Sequence, residues 1–194
     1  MKSKLERIQS ELAASLGSVD CAAAESFVRA VCRTAEQGGR IYCAAAGRML
    51  FVSQGFVMRL NQMGIPANCG ADTYAAPLSG KDLVVAVTSS GTTHGVVDFA
   101  LRAASGPGAA VWMIGCNPHS PIAEIAEGCV LYRPARTTRA LGGDRKQEAI
   151  DSFQPMNCLN EQTTTLLFDA VIVALMERLH VTNDDMNARH FNLE

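Results

Sequence analysis

The stretch DLVVAVTSSGTTHGVVDFA, Asp82 to Ala100, constrains the fold more than any other part of the chain. A continuous apolar run opened by the charged turn Lys81–Asp82 reads as a strand buried on both faces, which needs helices above and below it. Val96, Val97, Ala100 and Leu101 then recur at the spacing of one helical face, so a helix follows at once. Between the two lie Thr88, Ser89, Ser90, Gly91, Thr92 and Thr93, five hydroxyls in six positions. This junction is the carboxyl end of a strand and the amino end of a helix, the place where open parallel sheets hold ligands.

The physics of that position favours an anion. The first turn of a helix has N–H groups without intrahelical partners and carries roughly half a positive charge. Gly91 lets the backbone approach a ligand closely, and the hydroxyls can donate to phosphate oxygens. The alternative is that Ser90 or Thr92 caps the helix. A cap needs one hydroxyl, however, and five are present.

Along the rest of the chain helices and strands alternate. Two helices, about residues 3 to 16 and 20 to 37, precede the strand RIYCAAA. The segment GRMLFVSQGFVMRLNQMG then turns helical and ends at Gly64, and a short strand IPANC follows. After the Asp82–Ala100 unit come the strand AAVWMIGC, a helix after Pro118, the strand CVLYRP and a long helix from about Cys158 to His180. Strands separated by helices imply parallel pairing. The expected architecture is a three-layer α/β/α sandwich around a five-stranded parallel sheet, flavodoxin-like, with residues 1–194 forming one domain. Residues 134–155 form the one long irregular stretch, either a surface insertion or a lid over a site.

Several function classes are disfavoured. A formal net charge of -2, with no run of Lys or Arg, gives no reason to expect a nucleic-acid partner. The amino end alternates charges with Leu5, Ile8, Leu12 and Leu16, unlike a signal peptide, and no apolar run is long enough for a membrane span. Seven scattered cysteines without a C-x-x-C pair read as small buried hydrophobes of a reducing, cytoplasmic environment. Clustered Cys/His spacing is also missing, so no metal is expected. The strand before Gly47 lacks G-x-G-x-x-G spacing and the hydroxyl loop lacks a P-loop lysine, which leaves neither a dinucleotide nor a nucleoside triphosphate as cofactor.

A strand ending in GRM, paired with a second ending in TSSGTT, resembles the sugar isomerase (SIS) domain, whose second motif binds the phosphate of a phosphosugar. More particularly, FVMRLNQMG, QPMNCLNEQTTTLLFDAVIVALMERL and the terminal MNARHFNLE resemble the 6-phospho-3-hexuloisomerase family, over nearly the whole chain. The resemblance implies a phosphosugar isomerase that moves a ketone between C3 and C2 of a hexulose 6-phosphate through an enediol, without a cofactor, as a homotetramer whose tails pack on neighbouring subunits. It places Ser89, Ser90 and Thr92, supported by Thr88 and Thr93, in the phosphate loop. Glu161 falls on the acid-base glutamate, Arg48 on the arginine of the first motif and His190 on the histidine of the tail.

Read on their own, these residues leave alternatives open. Glu161 would also be favourable simply as an acidic residue in the first turn of the last helix. Arg48 could stabilise an enediolate or form an ion pair, and His190 could shuttle protons or stand in solvent. His94, next to the hydroxyl loop, is a second histidine candidate, while His119 and His180 have no evident partners. Three departures from the family pattern stand out: Met49 in place of a serine, Asn157 after PM, and GADTYAAP in place of a G-E-T turn. The missing hydroxyl at Met49 would leave its acceptor to water or to Ser53, one helical turn on. Rival expectations are an isomerase of another phosphosugar and a non-catalytic phosphosugar sensor.

Overall fold

The structure, a computed structural model, describes residues 1–70, 72–73, 75–136 and 148–193. Its elements in chain order are α1 (Lys2–Leu16), α2 (Cys21–Glu36), β1 (Ile41–Ala45), α3 (Arg48–Gln62), β2 (Ala67–Cys69), β3 (Leu83–Val87), α4 (His94–Ser105), β4 (Ala110–Gly115), α5 (Pro121–Ile125), β5 (Gly128–Leu131), α6 (Cys158–Leu179) and α7 (Asn183–Ala188). The five strands form one parallel sheet in the order β2-β1-β3-β4-β5. The chain therefore leaves β1 toward one edge and returns to β3 on its other side. A crevice opens between the carboxyl ends of β1 and β3, where the direction of winding reverses.

Alternation of side chains through the sheet explains the unbroken apolar strands. Leu83, Val85 and Val87 join one core with Ile41, Cys43, Phe27, Phe56 and Phe168, whereas Val84 and Ala86 join another with Tyr42, Val96, Ala100 and Met113. The first core lies under α2, α3 and α6, the second under α4 and α5, and α1 packs outside on α6. Phe56 on α3 stacks on Phe168 on α6, ring centres 4.1 Å apart, which fixes the two helices side by side. No described helix is long and apolar enough to cross a membrane.

The expected strands and helices are present, with shorter ends. The strand anticipated through CVLYRP stops at Leu131, because beyond it Tyr132 turns inward to bond Thr164 Oγ1 at 2.8 Å and the Asn160 carbonyl at 3.2 Å. Helix α7 was not anticipated. It is a single short turn-and-a-half held by a capping box, in which the Thr182 and Asp185 side chains each bond the other's backbone N–H. Of the irregular 134–155 stretch, residues 137–147 lie outside the described residues. Its flanks are joined by a parallel bridge between Ala135 and Ile150.

Candidate active site

A cleft of about 930 Å³ occupies the crevice between β1 and β3. Three segments wall it: Ala46–Met49 after β1, the hydroxyl loop and His94 after β3, and Pro155–Glu161 at the start of α6. Three helices thus present their N-termini to one space. None of the three has a side-chain cap: the positions before α3, α4 and α6 are Gly47, Thr93 and Asn157, and none accepts a capping bond. By contrast, α2, α5 and α7, which end elsewhere, are capped by Asp20, Ser120 and Thr182. The hydroxyls after β3 are therefore not there to cap α4.

The loop is held from behind. Asn117 Nδ2 donates to the Ser90 carbonyl at 3.1 Å and the Cys116 N–H to the Ser89 carbonyl at 3.0 Å, so carbonyl oxygens are turned away from the cleft. Among the described residues the N–H groups of Ser90, Gly91, Thr93 and His94 have no acceptor. Gly91 sits at φ +66°, and a Cβ there would lie 2.1 Å from Ser120 Oγ. Only glycine fits, for both reasons. Ser90 accepts from the Thr92 hydroxyl at 2.9 Å, and Thr88 and Thr93 hydroxyls pair at 3.2 Å. A ring of unpaired amides edged by hydroxyls has the chemistry to hold an anion.

Ser89 differs from its neighbours. Its side chain is buried and donates to Asn157 Oδ1 at 3.0 Å, and that oxygen also accepts from Asn160 Nδ2 at 2.7 Å. Ser89 thereby ties the loop to the start of α6. Met49 is also buried, in the core under α2, α3 and α6. Ser53 cannot stand in for the missing hydroxyl: it is fully buried and donates to the Met49 carbonyl at 2.9 Å, because a serine inside a helix satisfies itself on the preceding turn.

Glu161, 7% exposed, faces the cleft from the first turn of α6. Its Oε2 lies 3.1 Å from Arg48 Nε, yet accepts no well-aligned hydrogen bond among the described residues. The contact is a charge pairing without hydrogen-bond alignment. The Arg48 side chain is 65% exposed and also places Nη1 3.0 Å from Cys158 Sγ. That bond and the Glu161 carboxylate hold its guanidinium still more firmly protonated. A buried carboxylate beside a cation has the chemistry to act in turn as base and acid.

Histidine placement is uneven. His94 opens α4 and lines the cleft. His190 does not reach it within one chain. The neighbouring Arg189 bonds the Gln62 carbonyl at the far end of α3, about 20 Å along that helix from Arg48. His190 Nδ1 lies 3.1 Å from the Phe191 carbonyl there. Sequence reasoning did not anticipate Cys158 or Met156 in the cleft wall, although Cys158 precedes Glu161 by three residues and so shares its helical face.

No protein-family model matches the chain. The 3-hexulose-6-phosphate isomerase of Bacillus subtilis is 34% identical over 155 residues, covering 80% of each chain. That of Mycobacterium gastri is 30% identical over 190 residues, covering 98% of this chain and 89% of the relative. This chain belongs to the 3-hexulose-6-phosphate isomerase family, the 6-phospho-3-hexuloisomerases of the other nomenclature. Among solved structures, a Methanococcus jannaschii protein whose crystal structure was used to infer a 3-hexulose-6-phosphate isomerase function superposes with a TM-score of 0.77 at 20% identity. The match covers 99% of both chains and establishes a shared fold. The match to the Mycobacterium gastri relative covers 98% of this chain, so the cleft segments and α6 lie within the matched part.

Proposed function

We propose that this single-domain protein is a phosphosugar isomerase interconverting 3-hexulose 6-phosphate and fructose 6-phosphate. The observation that carries the reading is the convergence of three uncapped helix N-termini on a cleft that also contains the buried Glu161 carboxylate. Family membership supplies the substrate class.

In this reading the 6-phosphate occupies the loop of Ser90, Thr92 and the free amides, with Thr88, Ser89 and Thr93 shaping it. The sugar then extends toward α6. Glu161 removes the proton from C2, the carbon bearing the hydroxyl beside the C3 ketone. Electrons move into the C2–C3 bond, giving an enediolate whose negative charge faces the Arg48 guanidinium. A proton passes between O2 and O3, and Glu161 returns its proton to C3, leaving the ketone at C2. The reaction is redox-neutral within the sugar. General acid-base catalysis of this kind contributes ~10²- to 10⁴-fold.

His94 is placed to move the proton between oxygens from within the chain. His190 serves a cleft only if a neighbouring copy supplies it, which fits a homo-oligomer, a tetramer by the family resemblance. Phe191 and Leu193, 63% and 80% exposed, are the apolar anchors such a tail needs against a neighbour.

The test is solvent exchange. Fructose 6-phosphate incubated in D2O with the protein should acquire deuterium at C3, followed by proton NMR, as 3-hexulose 6-phosphate forms. Glu161→Gln keeps the shape but cannot accept the proton, so exchange should fall by ~10²-fold or more while sugar phosphate binding persists. Wild-type protein that exchanges no carbon-bound hydrogen of this sugar would refute the assignment.

A further inference from the structure

Two non-glycine residues among the described ones adopt left-handed backbone, Met156 at φ +53° and His180 at φ +54°. His180 ends α6, where its N–H bonds the Met176 carbonyl, and a left-handed residue is ordinary at a helix terminus. Met156 ends nothing. It precedes α6 by two residues, in the wall of the cleft, in a conformation that a bulky side chain adopts only under constraint. Its own packing offers no compensation, since the residue is 71% exposed.

The constraint comes from both sides of the turn. Before it, the buried Gln154 donates from Nε2 to Glu11 Oε2 at 3.3 Å and accepts at Oε1 from Gln162 Nε2 at 2.9 Å. After it, Asn157 Oδ1 accepts from Ser89 at 3.0 Å and from Asn160 at 2.7 Å. The Cys158 N–H donates to the Pro155 carbonyl at 3.2 Å and closes the turn over Met156. A turn that needed only this shape would be better served by glycine or asparagine, which tolerate left-handed backbone. The methionine side chain therefore calls for its own explanation. The rest of the wall supplies one: hydroxyls, Arg48, His94 and Glu161 are polar, and Met49 and Val87 are buried behind the surface. Met156 is the one long apolar side chain that the described part of the wall exposes to the cleft.

We propose that Met156 is a specificity-determining residue of the cleft, whose thioether packs on the carbon chain of a sugar phosphate while the phosphate occupies the hydroxyl loop. A sugar phosphate held through its charged end and its hydroxyls still presents C–H surface to water, and covering that surface with an apolar side chain is favourable. An unbranched, polarisable thioether adapts to such an irregular surface better than a branched side chain does. The strained turn fixes where the thioether starts, and its rotatable bonds let it settle on the ligand. Met156 thereby distinguishes a phosphate that carries a sugar from a phosphate that carries none. The proposal rests on the phosphosugar reading of the cleft and adds to it the residue that senses the sugar.

The experiment compares fructose 6-phosphate with inorganic phosphate by calorimetric titration of the full-length protein and its Met156 variants. Met156→Asn keeps the left-handed turn and removes the thioether. It should unfold in urea no earlier than the wild type, because the strain is relieved and no core contact is lost. Its affinity for fructose 6-phosphate should fall ~5- to 10-fold, the effect of losing part of an apolar side chain's burial, while its affinity for phosphate stays within about 2-fold. Met156→Gly should repeat both results, and Met156→Leu, which returns the apolar volume, should recover most of the lost affinity. In the deuterium-exchange assay the loss should appear chiefly in KM rather than in kcat. Unchanged fructose 6-phosphate affinity in Met156→Asn overturns the proposal. So does an equal loss for both ligands, which would mean that the substitution disturbs the hydroxyl loop. A wild type that binds fructose 6-phosphate no tighter than phosphate overturns this proposal and the isomerase reading together. A wild type that binds the sugar phosphate more tightly yet never exchanges deuterium refutes the isomerase reading alone, and the ratio of the two affinities in Met156→Asn still decides the role of the methionine.

Discussion

The Ser89 hydroxyl donates to Asn157 Oδ1 at 3.0 Å, and this bond joins the hydroxyl loop after β3 to the helix that carries Glu161. Asn157 stands at the junction of the cleft's two working parts: its oxygen accepts from Ser89 and Asn160, and Asn160 Oδ1 in turn accepts from the Ala135 N–H at 2.9 Å. A ligand that ordered the loop would thereby act on the start of α6, where Glu161 stands.

Asn157→Ala leaves the buried Ser89 hydroxyl and the buried Asn160 amide without their acceptor. Unsatisfied buried donors cost about 1 to 3 kcal/mol, so urea unfolding should show a loss of that size. Sugar phosphate affinity should fall with it, because the loop is no longer held to α6. Wild-type stability in the variant would show that the link contributes nothing.

Ser90 and Ser89 should separate in mutagenesis. Ser90 is only half-buried, lines the cleft and is bonded within the loop, whereas Ser89 is turned to Asn157. Ser90→Ala should weaken fructose 6-phosphate by about 1.5 to 3 kcal/mol, a charge-assisted hydrogen bond, with little effect on unfolding. Ser89→Ala should instead lower stability. Calorimetric titration with fructose 6-phosphate and with fructose distinguishes them: an equal loss for both sugars in Ser90→Ala would mean that the loop does not hold phosphate.

Glu11 on α1 fixes the segment that leads into the cleft. It accepts from Ser152 Oγ at 2.6 Å, the Phe153 N–H at 3.2 Å, Gln154 Nε2 at 3.3 Å and Arg7 Nε at 3.2 Å. Burial pushes its carboxyl up, but these bonds together outweigh burial and hold it below the ordinary 4.5. A depressed carboxyl contributes stability that is fully present above the unfolded value and is lost as pH falls through the folded one. Glu11→Gln should therefore be less stable than the wild type at pH 7, and the gap should close as the pH falls below about 4.5. Unfolding midpoints at several pH values check this, and a gap independent of pH would remove the charge from the explanation.

The sheet and the hydroxyl loop were legible because each is written locally: a doubly buried strand must be apolar at every position, and Gly91 must be glycine where Ser120 closes on it. Glu161 and Arg48 were legible only through the family pattern, since their pairing joins the starts of α6 and α3 across 113 positions of chain. Nothing local marks Asn157 as the acceptor for Ser89 or Cys158 as a neighbour of Arg48. Nor could the sequence show that His190 lies at the opposite end of α3 from the cleft. That placement follows from Arg189 bonding the Gln62 carbonyl, a tertiary contact with no periodicity of its own.

Met49 is where sequence and structure pull in different directions. The resemblance puts a serine there, and the sequence alone left the missing hydroxyl's acceptor to water or to Ser53. In the structure Met49 is 4% exposed and belongs to the core under α2, α3 and α6, and Ser53 is committed to the Met49 carbonyl. Met49→Ser should then do two things at once. Removing a buried thioether should cost about 2 to 4 kcal/mol of stability, the usual range for truncating a large core side chain. The new hydroxyl, in the first turn of α3 beside the free amides, should tighten sugar phosphate binding by about 0.5 to 1.5 kcal/mol, one net hydrogen bond. Urea unfolding reads the first and calorimetric titration with fructose 6-phosphate the second. If affinity falls together with stability, the methionine is part of the ligand's wall, and a phosphosugar other than a hexulose 6-phosphate becomes the better substrate.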